Sequence, residues 1–356
     1  MKKRFALLLT LVLMVGVIAA CGSNANKNSG SNNSAGNAAE SNNASKDSGE
    51  SEKKKIALVL PEQIGVNPFY SQMDEGLKKA GEEFGLEVKT IESTDIAAFE
   101  QNLRTTVAED YDLIMTATFN AVDALGTVAA ENPDKSFAII DDEVDQPNVR
   151  SVVFREYEAA FLMGAAAGLS TKTNKVGAVA AIDAPIIHKF TKSFGAGLAH
   201  TNPNAEYEVN YVNSFVDTAK AKEIAIQQHA WGADFIAGMA AVSDLGVFEA
   251  AKEKGFYTSG QDIDRTVEDP EHIVLSQLKF TDTAAYETAK AFAAGSFEFG
   301  KVDYGLLEEG VGVTFVTHES TSPLSPFIGQ DVIDQVKAIA EDIKSGKLEV
   351  KNPLAQ

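Results

Sequence analysis

Short apolar runs alternate with amphipathic stretches along the chain from residue 55 onward. In the first half the apolar runs, each of strand length, lie at 55–60, 86–91, 112–116 and 136–140. Helical periodicity follows three of them, at 69–84, 96–108 and 120–131. The second half repeats this rhythm, with apolar runs at 175–181, 207–212, 233–237 and 257–260 and helical periods at 186–199, 217–230 and 243–254. Strands that alternate with helices build parallel sheets. The pattern therefore predicts an α/β protein with two doubly wound parallel-sheet lobes that face each other across a cleft.

The last part of the chain does not add a third domain. It offers one further strand at 272–280, a helix at 281–294, short strands at 302–307 and 311–316, and a final helix at 331–346. Such late elements let a chain cross repeatedly between two lobes, so a multi-strand hinge is expected. We assign 55–155 plus about 280–320 to the N-terminal lobe, and 156–279 plus about 321–356 to the C-terminal lobe.

The first 54 residues have a different composition. Residues 1–20 combine a basic start, an apolar stretch and small residues, which is the layout of a secretory signal peptide. Cys21, the single cysteine of the chain, follows them directly and resembles the lipidated cysteine of a bacterial lipobox. Residues 22–54 are mostly Asn, Ser, Gly and Lys and predict a disordered tether. We expect a protein exported and lipid-anchored at the outer face of the cell membrane.

Charge and motifs exclude several functions. The net charge of −20, with dispersed basic residues, argues against nucleic-acid binding. The string Gly295–Lys301 resembles a phosphate-binding loop, but it follows a helix and Val302 stands where a magnesium-binding Ser or Thr belongs, so a helix-capping glycine explains it better. The acidic run that begins at Asp262 lacks the glycine and glutamate of a calcium loop. No metal, no cofactor and no enzymatic activity are expected, and a monomer is the default.

Two longer strings resemble one known family. They are FAIIDDEVDQPNVRSVVFREYEAAFLMGAAAGLSTKTNKVGAVAA at 137–181 and SFVDTAKAKEIAIQQHAWGADFIAG at 214–238, and they are similar to the basic membrane protein family. The resemblance covers about residues 55–350. It implies the type I periplasmic-binding fold and a lipoprotein that binds a solute for an ABC permease, with purine nucleosides as the first expected solute.

The resemblance also implies which residues bind the solute. Phe69 matches the ring that stacks on the base, Asp141 a carboxylate that ends the fourth strand, Asp262 a carboxylate for ribose hydroxyls, and Lys279 a lysine near the hinge. Phe215 is the candidate for a second stacking ring. Two aromatic faces can sandwich a flat base, and carboxylates accept hydrogen bonds from neighbouring hydroxyls. Lys279 would compensate the charge of the carboxylates.

Two departures from the family pattern leave the solute open. Tyr70 stands where nucleoside-binding members carry an asparagine, and Asn67-Pro68-Phe69-Tyr70 looks like the stacking turn of sugar-binding receptors, which makes Asn67 and Tyr70 candidate contacts. Ala241 begins a loop in which glycines are expected. A sugar or polyol is therefore the alternative solute. A sensor that docks on a signalling receptor is the alternative to an importer.

Overall fold

The computed structural model describes residues 53–355. The expected signal peptide, Cys21 and the tether up to residue 52 lie outside the described residues, so those expectations stay predictions. Within 53–355, no helix is both long and apolar enough to cross a membrane.

The first lobe is built on a six-stranded sheet. Its first elements are β1 (Lys55–Leu60), α1 (Pro68–Phe84), β2 (Glu87–Glu92), α2 (Ile96–Ala108), β3 (Leu113–Ala117), α3 (Val122–Glu131), β4 (Ser136–Ile140) and β5 (Val149–Phe154). These strands pair in parallel in the order β5-β4-β3-β1-β2. The core strands are apolar and carry no exposed surface from Ile56 to Leu60, as expected for a sheet covered on both faces.

The second lobe repeats the arrangement with its own six-stranded sheet. Its elements are α4 (Glu156–Ser170), β6 (Lys175–Ala180), α5 (Pro185–Thr201), β7 (Glu206–Tyr211), α6 (Thr218–Trp231), β8 (Phe235–Met239), α7 (Asp244–Lys254), β9 (Tyr257–Asp262) and β10 (Ile273–Lys279). The parallel order β10-β9-β8-β6-β7 is the same as that of the first sheet. Both lobes therefore present the carboxyl ends of equivalent strands to the same cleft.

The last four elements complete both lobes. They are α8 (Thr281–Ala294), β11 (Gly300–Tyr304), β12 (Val311–Val313) and α9 (Gly329–Lys344). Helix α8 packs on α1 and β11 pairs in parallel with β5, so both join the first lobe. Strand β12 pairs with β10 in the second sheet and runs antiparallel to it. The structure thus differs from the sequence assignment twice: the second sheet is mixed, and residues 311–313 belong to it although a lobe boundary near 320 was expected.

The chain crosses between the lobes at three places, after β5, after β10 and between β11 and β12. This is the multi-strand hinge that the sequence predicted. The crossings are tied to each other, since Arg155 Nε bonds Glu158 Oε1 at 2.7 Å and the same guanidinium pairs with Glu308. A Cβ at Gly305 would lie 2.4 Å from the Arg155 side chain, so a larger residue there would displace this ion-pair group.

Strand β5 and helix α4 were missed by the pattern analysis. The residues of α4 from Ala159 to Gly168 are buried on every face of the helix, so it shows no apolar stripe with a 3.6-residue period. It lies against α5 so closely that a Cβ on Gly164 would come within 1.9 Å of the Phe194 carbonyl oxygen. In contrast, the interpretation of Gly295 is confirmed: it ends α8 with a left-handed φ of 72°.

Candidate functional site

A cleft opens between the lobes at the carboxyl ends of the central strands. The space between its walls is about 790 Å³, including the part open to solvent, which is within the range of small-molecule sites. All seven residues proposed from sequence lie on its walls: Asn67, Phe69, Tyr70, Asp141, Phe215, Asp262 and Lys279. They come from five separate stretches of the chain, and the fold brings them together because parallel strands end at one edge.

The turn before α1 sets the first aromatic wall. Asn67 caps the helix, with its side-chain oxygen 3.2 Å from the backbone nitrogen of Phe69, and Pro68 is the first helical residue. The rings of Phe69 and Tyr70 meet edge to face, with centroids 5.2 Å apart. Tyr70 is only 3% exposed, so it supports Phe69 from behind. Burial, together with the charge of Glu62, raises the pKa of Tyr70 and keeps its hydroxyl protonated.

A buried charge network forms the floor of the cleft. Lys279 Nζ lies 2.8 Å from Asp141 Oδ1 and 3.1 Å from Glu156 Oε1, and Lys189 Nζ lies 3.0 Å from Glu156 Oε2. Lys279 is 5% exposed and Glu156 is fully buried. Two lysines therefore face two carboxylates, which satisfies charges that would be very costly alone. Lys279 pairs with Asp141 and Glu156, and Glu156 is a partner that the sequence analysis did not identify.

The network separates the pKa values of its two acids. Burial raises the pKa of Asp141 to about 7, against the opposing effect of Lys279. Burial also opposes ionisation of Glu156, but Lys279 and Lys189 outweigh it and hold that pKa at about 2. Asp141 is therefore the group that takes a proton first, while Glu156 stays ionised. Burial opposes the charge of Lys279 as well, yet Asp141 and Glu156 hold its pKa above the ordinary value.

Lys279 also packs among aromatic rings. Its Nζ lies 5.6 Å from the ring centroid of Phe69, 5.5 Å from that of Phe154 and 5.3 Å from that of Phe190. A cation over aromatic faces is stabilised, most strongly when it is desolvated. The lysine thus holds the position of Phe69 in addition to neutralising the carboxylates.

Asp262 ends β9 on the wall of the second lobe. Among residues 53–355 its carboxylate makes no hydrogen bond, whereas its backbone oxygen lies 3.5 Å from Gln72 Nε2 of the first lobe. Burial raises the pKa of this carboxyl group, while Lys279 and Arg265 pull it down. A carboxylate without a protein partner on a cleft wall is available to hydrogen-bond donors of a ligand.

Four non-glycine residues on the cleft wall have left-handed backbone angles. They are Thr118 (φ 72°), Asp141 (φ 75°), Ala241 (φ 53°) and Asp262 (φ 67°). Each follows or ends a strand, and the conformation costs side-chain-bearing residues of order 1–2 kcal/mol. Such strain collects at functional sites. At Ala241 it explains the sequence departure: the backbone keeps the turn that glycine favours, although the side chain is alanine.

The structure adds aromatic residues that the sequence analysis missed. Phe119 of the first lobe faces Phe215 of the second, with ring centroids 6.3 Å apart and an angle of 39° between the planes. Phe190, on α5, also lines the cleft from the second lobe. The polar residue Gln261 lines it as well, and its amide donates to the Gly238 carbonyl oxygen at 2.9 Å. Phe119 closely follows β3 and Phe190 lies on α5, which follows β6, and ligands in such sheets bind beyond the carboxyl ends of the strands. That placement was the only sequence signal for them.

No group of three or more His, Cys, Asp or Glu side chains positioned to hold a metal ion occurs in the part of the chain that the structure describes. Of the cleft carboxylates, Asp141 is paired with Lys279, Glu62 accepts a hydrogen bond from Asn120, and Asp262 lines the open space. The arrangement suits reversible binding of a polar molecule that carries a flat ring.

The fold and this cleft are those of a two-lobed protein that binds a small solute between its lobes. Residues 53–352 match the family model described as "ABC transporter substrate-binding protein PnrA-like", and the chain belongs to this family of solute-binding receptors. Members of this family are solute-binding receptors and not enzymes, which confirms the expectation that the protein has no enzymatic activity. Substrate-binding proteins of this kind are extracytoplasmic and work with ABC permeases.

Individual relatives agree with this assignment. The chain is 32% identical to a CD4+ T-cell-stimulating antigen of Listeria innocua, over 98% of this chain and 99% of that protein. It is 28% identical to the ABC transporter nucleoside-binding protein BmpA of Lactococcus lactis, over 85% of this chain and 92% of that protein. Among solved structures, an ABC transporter solute-binding protein of Aeropyrum pernix superposes with a TM-score of 0.74 at 26% identity, over 85% of this chain and 94% of that chain. The predicted family and fold class are thereby confirmed.

Proposed function

We propose that this protein is a nucleoside receptor that closes its two lobes around a purine nucleoside and presents it to an ABC permease. The observation that carries the proposal is the composition of the cleft, where aromatic rings from both lobes accompany an unpaired carboxylate. The name of the Lactococcus lactis relative, a nucleoside-binding protein, supports it. A ligand that contacts both lobes stabilises the closed form, which is the form a permease can distinguish.

The base is assigned to the aromatic walls. Phe69 provides one face, fixed by the turn at Asn67 and by Lys279, and Phe215 provides the opposite face from the second lobe. Phe119 contacts Phe215 across the mouth of the cleft, so it covers the edge of the base from solvent. Offset stacking between aromatic planes contributes about 0.5–1.5 kcal/mol per pair beyond the burial of area.

The ribose is assigned to Asp262. Its carboxylate can accept two hydrogen bonds from vicinal hydroxyls, and charge-assisted bonds of this kind are about twice as strong as neutral ones. Asp141 is committed to Lys279 through Oδ1 and interacts with Glu156, so Asp262 is the carboxylate left for the ligand. This carboxylate requires donors on the ligand, and a ribose supplies them.

The charge of the cleft sets a limit on the solute. Glu62, Asp141 and Asp262 line it together with a single cation, Lys279, which is already paired. A phosphate would therefore meet excess negative charge in a partly desolvated space. We expect uncharged nucleosides to bind and nucleoside monophosphates to be rejected.

A sugar or polyol is the second candidate. The observation that favours it is the Asn67-Pro68-Phe69-Tyr70 turn, in which the buried Tyr70 replaces the asparagine expected next to a base. A ring at Phe69 stacks equally well on the apolar face of a sugar. In that case Asp262 still binds hydroxyl groups, and Phe215 has no base on which to stack.

A thermal-shift titration separates these candidates. The chain from Gly22 onward, which retains residues 53–355 whole, is titrated with adenosine, guanosine, inosine, adenine, ribose, several hexoses and adenosine monophosphate. A ligand that binds only the folded state raises the melting temperature. Nucleosides should raise it, and the monophosphate should not. Phe69→Ala and Asp262→Ala should abolish the shift, while the exposed-site controls Phe299→Ala and Asp134→Ala should retain it.

Each remaining outcome has a defined meaning. A shift with hexoses but not with nucleosides would replace the nucleoside by the sugar. No shift with any compound would remove the solute assignment and leave the sensor hypothesis, in which the closed form docks on a signalling receptor. Retention of the adenosine shift in Asp262→Ala would contradict the role given to this carboxylate.

Lipid attachment at Cys21 is the proposed means of holding the receptor at the outer face of the membrane. A diacylated cysteine has enough buried CH₂ groups for stable anchoring. In cells, Cys21→Ser should move the protein from the membrane pellet to the soluble fraction and abolish incorporation of labelled palmitate. Continued incorporation of palmitate into Cys21→Ser would refute attachment at Cys21, and a palmitate-free Cys21→Ser protein that stays in the membrane pellet would refute the anchoring role of the lipid.

A further inference from the structure

Three phenylalanines form a cluster on the first lobe, at the edge of the sheet opposite the cleft. Phe292 lies at the end of α8, and Phe297 and Phe299 precede β11. Their rings meet edge to face in a row, with centroids 5.5 Å apart for the first pair and 5.4 Å for the second. Phe299 is 48% exposed. We call these three residues the phenylalanine cluster.

Two cations flank the cluster. Lys54 Nζ lies 5.0 Å above the Phe292 ring and donates to the Phe292 carbonyl oxygen at 2.8 Å. The Arg150 guanidinium lies 5.7 Å from the Phe297 ring and donates to the Glu298 carbonyl oxygen at 3.0 Å. These bonds to carbonyl oxygens leave both positive charges without a carboxylate partner among residues 53–355. On a chain of net charge −20, these two cations lie beside the phenylalanine cluster together with one exposed acidic side chain, Glu298.

The cluster lies where the chain enters the folded part. Lys54 precedes β1 directly, and β1 and β11 run in the same direction in one sheet. Both strands therefore begin at the same edge, while the cleft is at the opposite edge. The 52 preceding residues, with the proposed lipid attachment at Cys21, are joined to the fold beside the cluster. The position of this surface near a bilayer rests on that proposed attachment.

We propose that the phenylalanine cluster, with Lys54 and Arg150, contacts the anionic headgroup region of the membrane. Exposed phenylalanine favours the boundary between headgroups and acyl chains, and lysine or arginine near an anionic surface contributes about 1 kcal/mol each, or about fivefold in binding. Contact through this edge turns the cleft away from the bilayer, toward the solute. The contact is weak, so the protein can leave the membrane surface and reorient when it docks on the permease.

Vesicle sedimentation tests the contact without the lipid anchor. The chain from Gly22 onward is mixed with sucrose-loaded vesicles of phosphatidylglycerol and phosphatidylcholine, and with vesicles of phosphatidylcholine alone. Binding should occur to the anionic vesicles and fall as salt is raised. Lys54→Gln should weaken it about fivefold. The double variant Phe299→Ser/Lys54→Gln should weaken it at least about tenfold.

A matched double variant on the second lobe serves as control. Val267 is 51% exposed and Lys220 is a surface lysine, so Val267→Ser/Lys220→Gln removes the same kinds of groups and should leave binding unchanged. Absence of binding to anionic vesicles, or equal losses in the two double variants, would overturn the proposal.

A second measurement locates the surface directly. In Phe299→Trp, brominated lipid should quench the new fluorescence, whereas in the control Val267→Trp it should not. Equal quenching in both would also overturn the proposal. These variants should keep the adenosine shift, because neither Phe299 nor Val267 lines the cleft, so a failure here is distinguishable from a failure of the nucleoside assignment.

Discussion

Replacing Lys279 by methionine is the most direct test of the buried network. The substitution keeps the length of the side chain and removes the charge that lies 2.8 Å from Asp141 and 3.1 Å from Glu156. Both carboxylates are at least nine-tenths buried. Breaking a buried ion pair from one side costs about 3–5 kcal/mol, because an uncompensated charge is left behind. We expect Lys279→Met to lose that much unfolding free energy at pH 8.

Urea denaturation at pH 8 and pH 5.5 provides the assay. At the lower pH the carboxylates left without Lys279 can take up a proton, so the variant should recover part of the loss. Lys290→Met is the matched control, since its partner Glu287 is only 2.9 Å away but both side chains are on the surface. Its cost should be about 0–1 kcal/mol. The reasoning is wrong if the two variants lose similar amounts, or if the loss in Lys279→Met is the same at both pH values.

Three further predictions concern single positions. Since the folded-state pKa of Asp141 is raised to about 7, the contribution of this group to stability is full below about pH 4 and is lost as pH rises toward 7. Asp141→Asn should flatten this part of the plot of stability against pH, and parallel plots for the variant and the unchanged protein would count against the raised pKa. Gly76→Ala places a Cβ 2.1 Å from the Asp282 carbonyl oxygen and should destabilise the protein by at least about 1–3 kcal/mol. Gly126→Ala, whose new Cβ would have its nearest contact at 3.7 Å, should stabilise the protein by about 0.5–1 kcal/mol. Equal melting temperatures of the two variants would disprove the packing argument. Ala241→Gly relieves the strain of a φ of 53° and should raise the free energy of unfolding by about 1 kcal/mol. A decrease in that free energy, as added backbone flexibility would cause, would show that the turn is unstrained.

Much of the fold could be read from local pattern. Strand β4 and helices α2 and α8 have the bounds that periodicity predicted. These elements have one buried face or a short apolar run between turn residues, which is the information a local window contains. Helix α4 has no such asymmetry, so it could not be recognised in this way, whereas β12 was expected as a short strand at 311–316 and spans only three residues.

The sequence by itself determined the alternation of strands and helices, the two-lobed architecture and the loops that meet at the cleft. Those properties follow from neighbouring residues and from the rule that parallel strands end at one edge. The tertiary structure decided the partners inside the cleft. Lys279 meets Asp141 across 138 positions and Glu156 across 123, and Phe119 meets Phe215 from the other lobe. Contacts of this kind depend on how the lobes pack, and no local pattern in the chain encodes them.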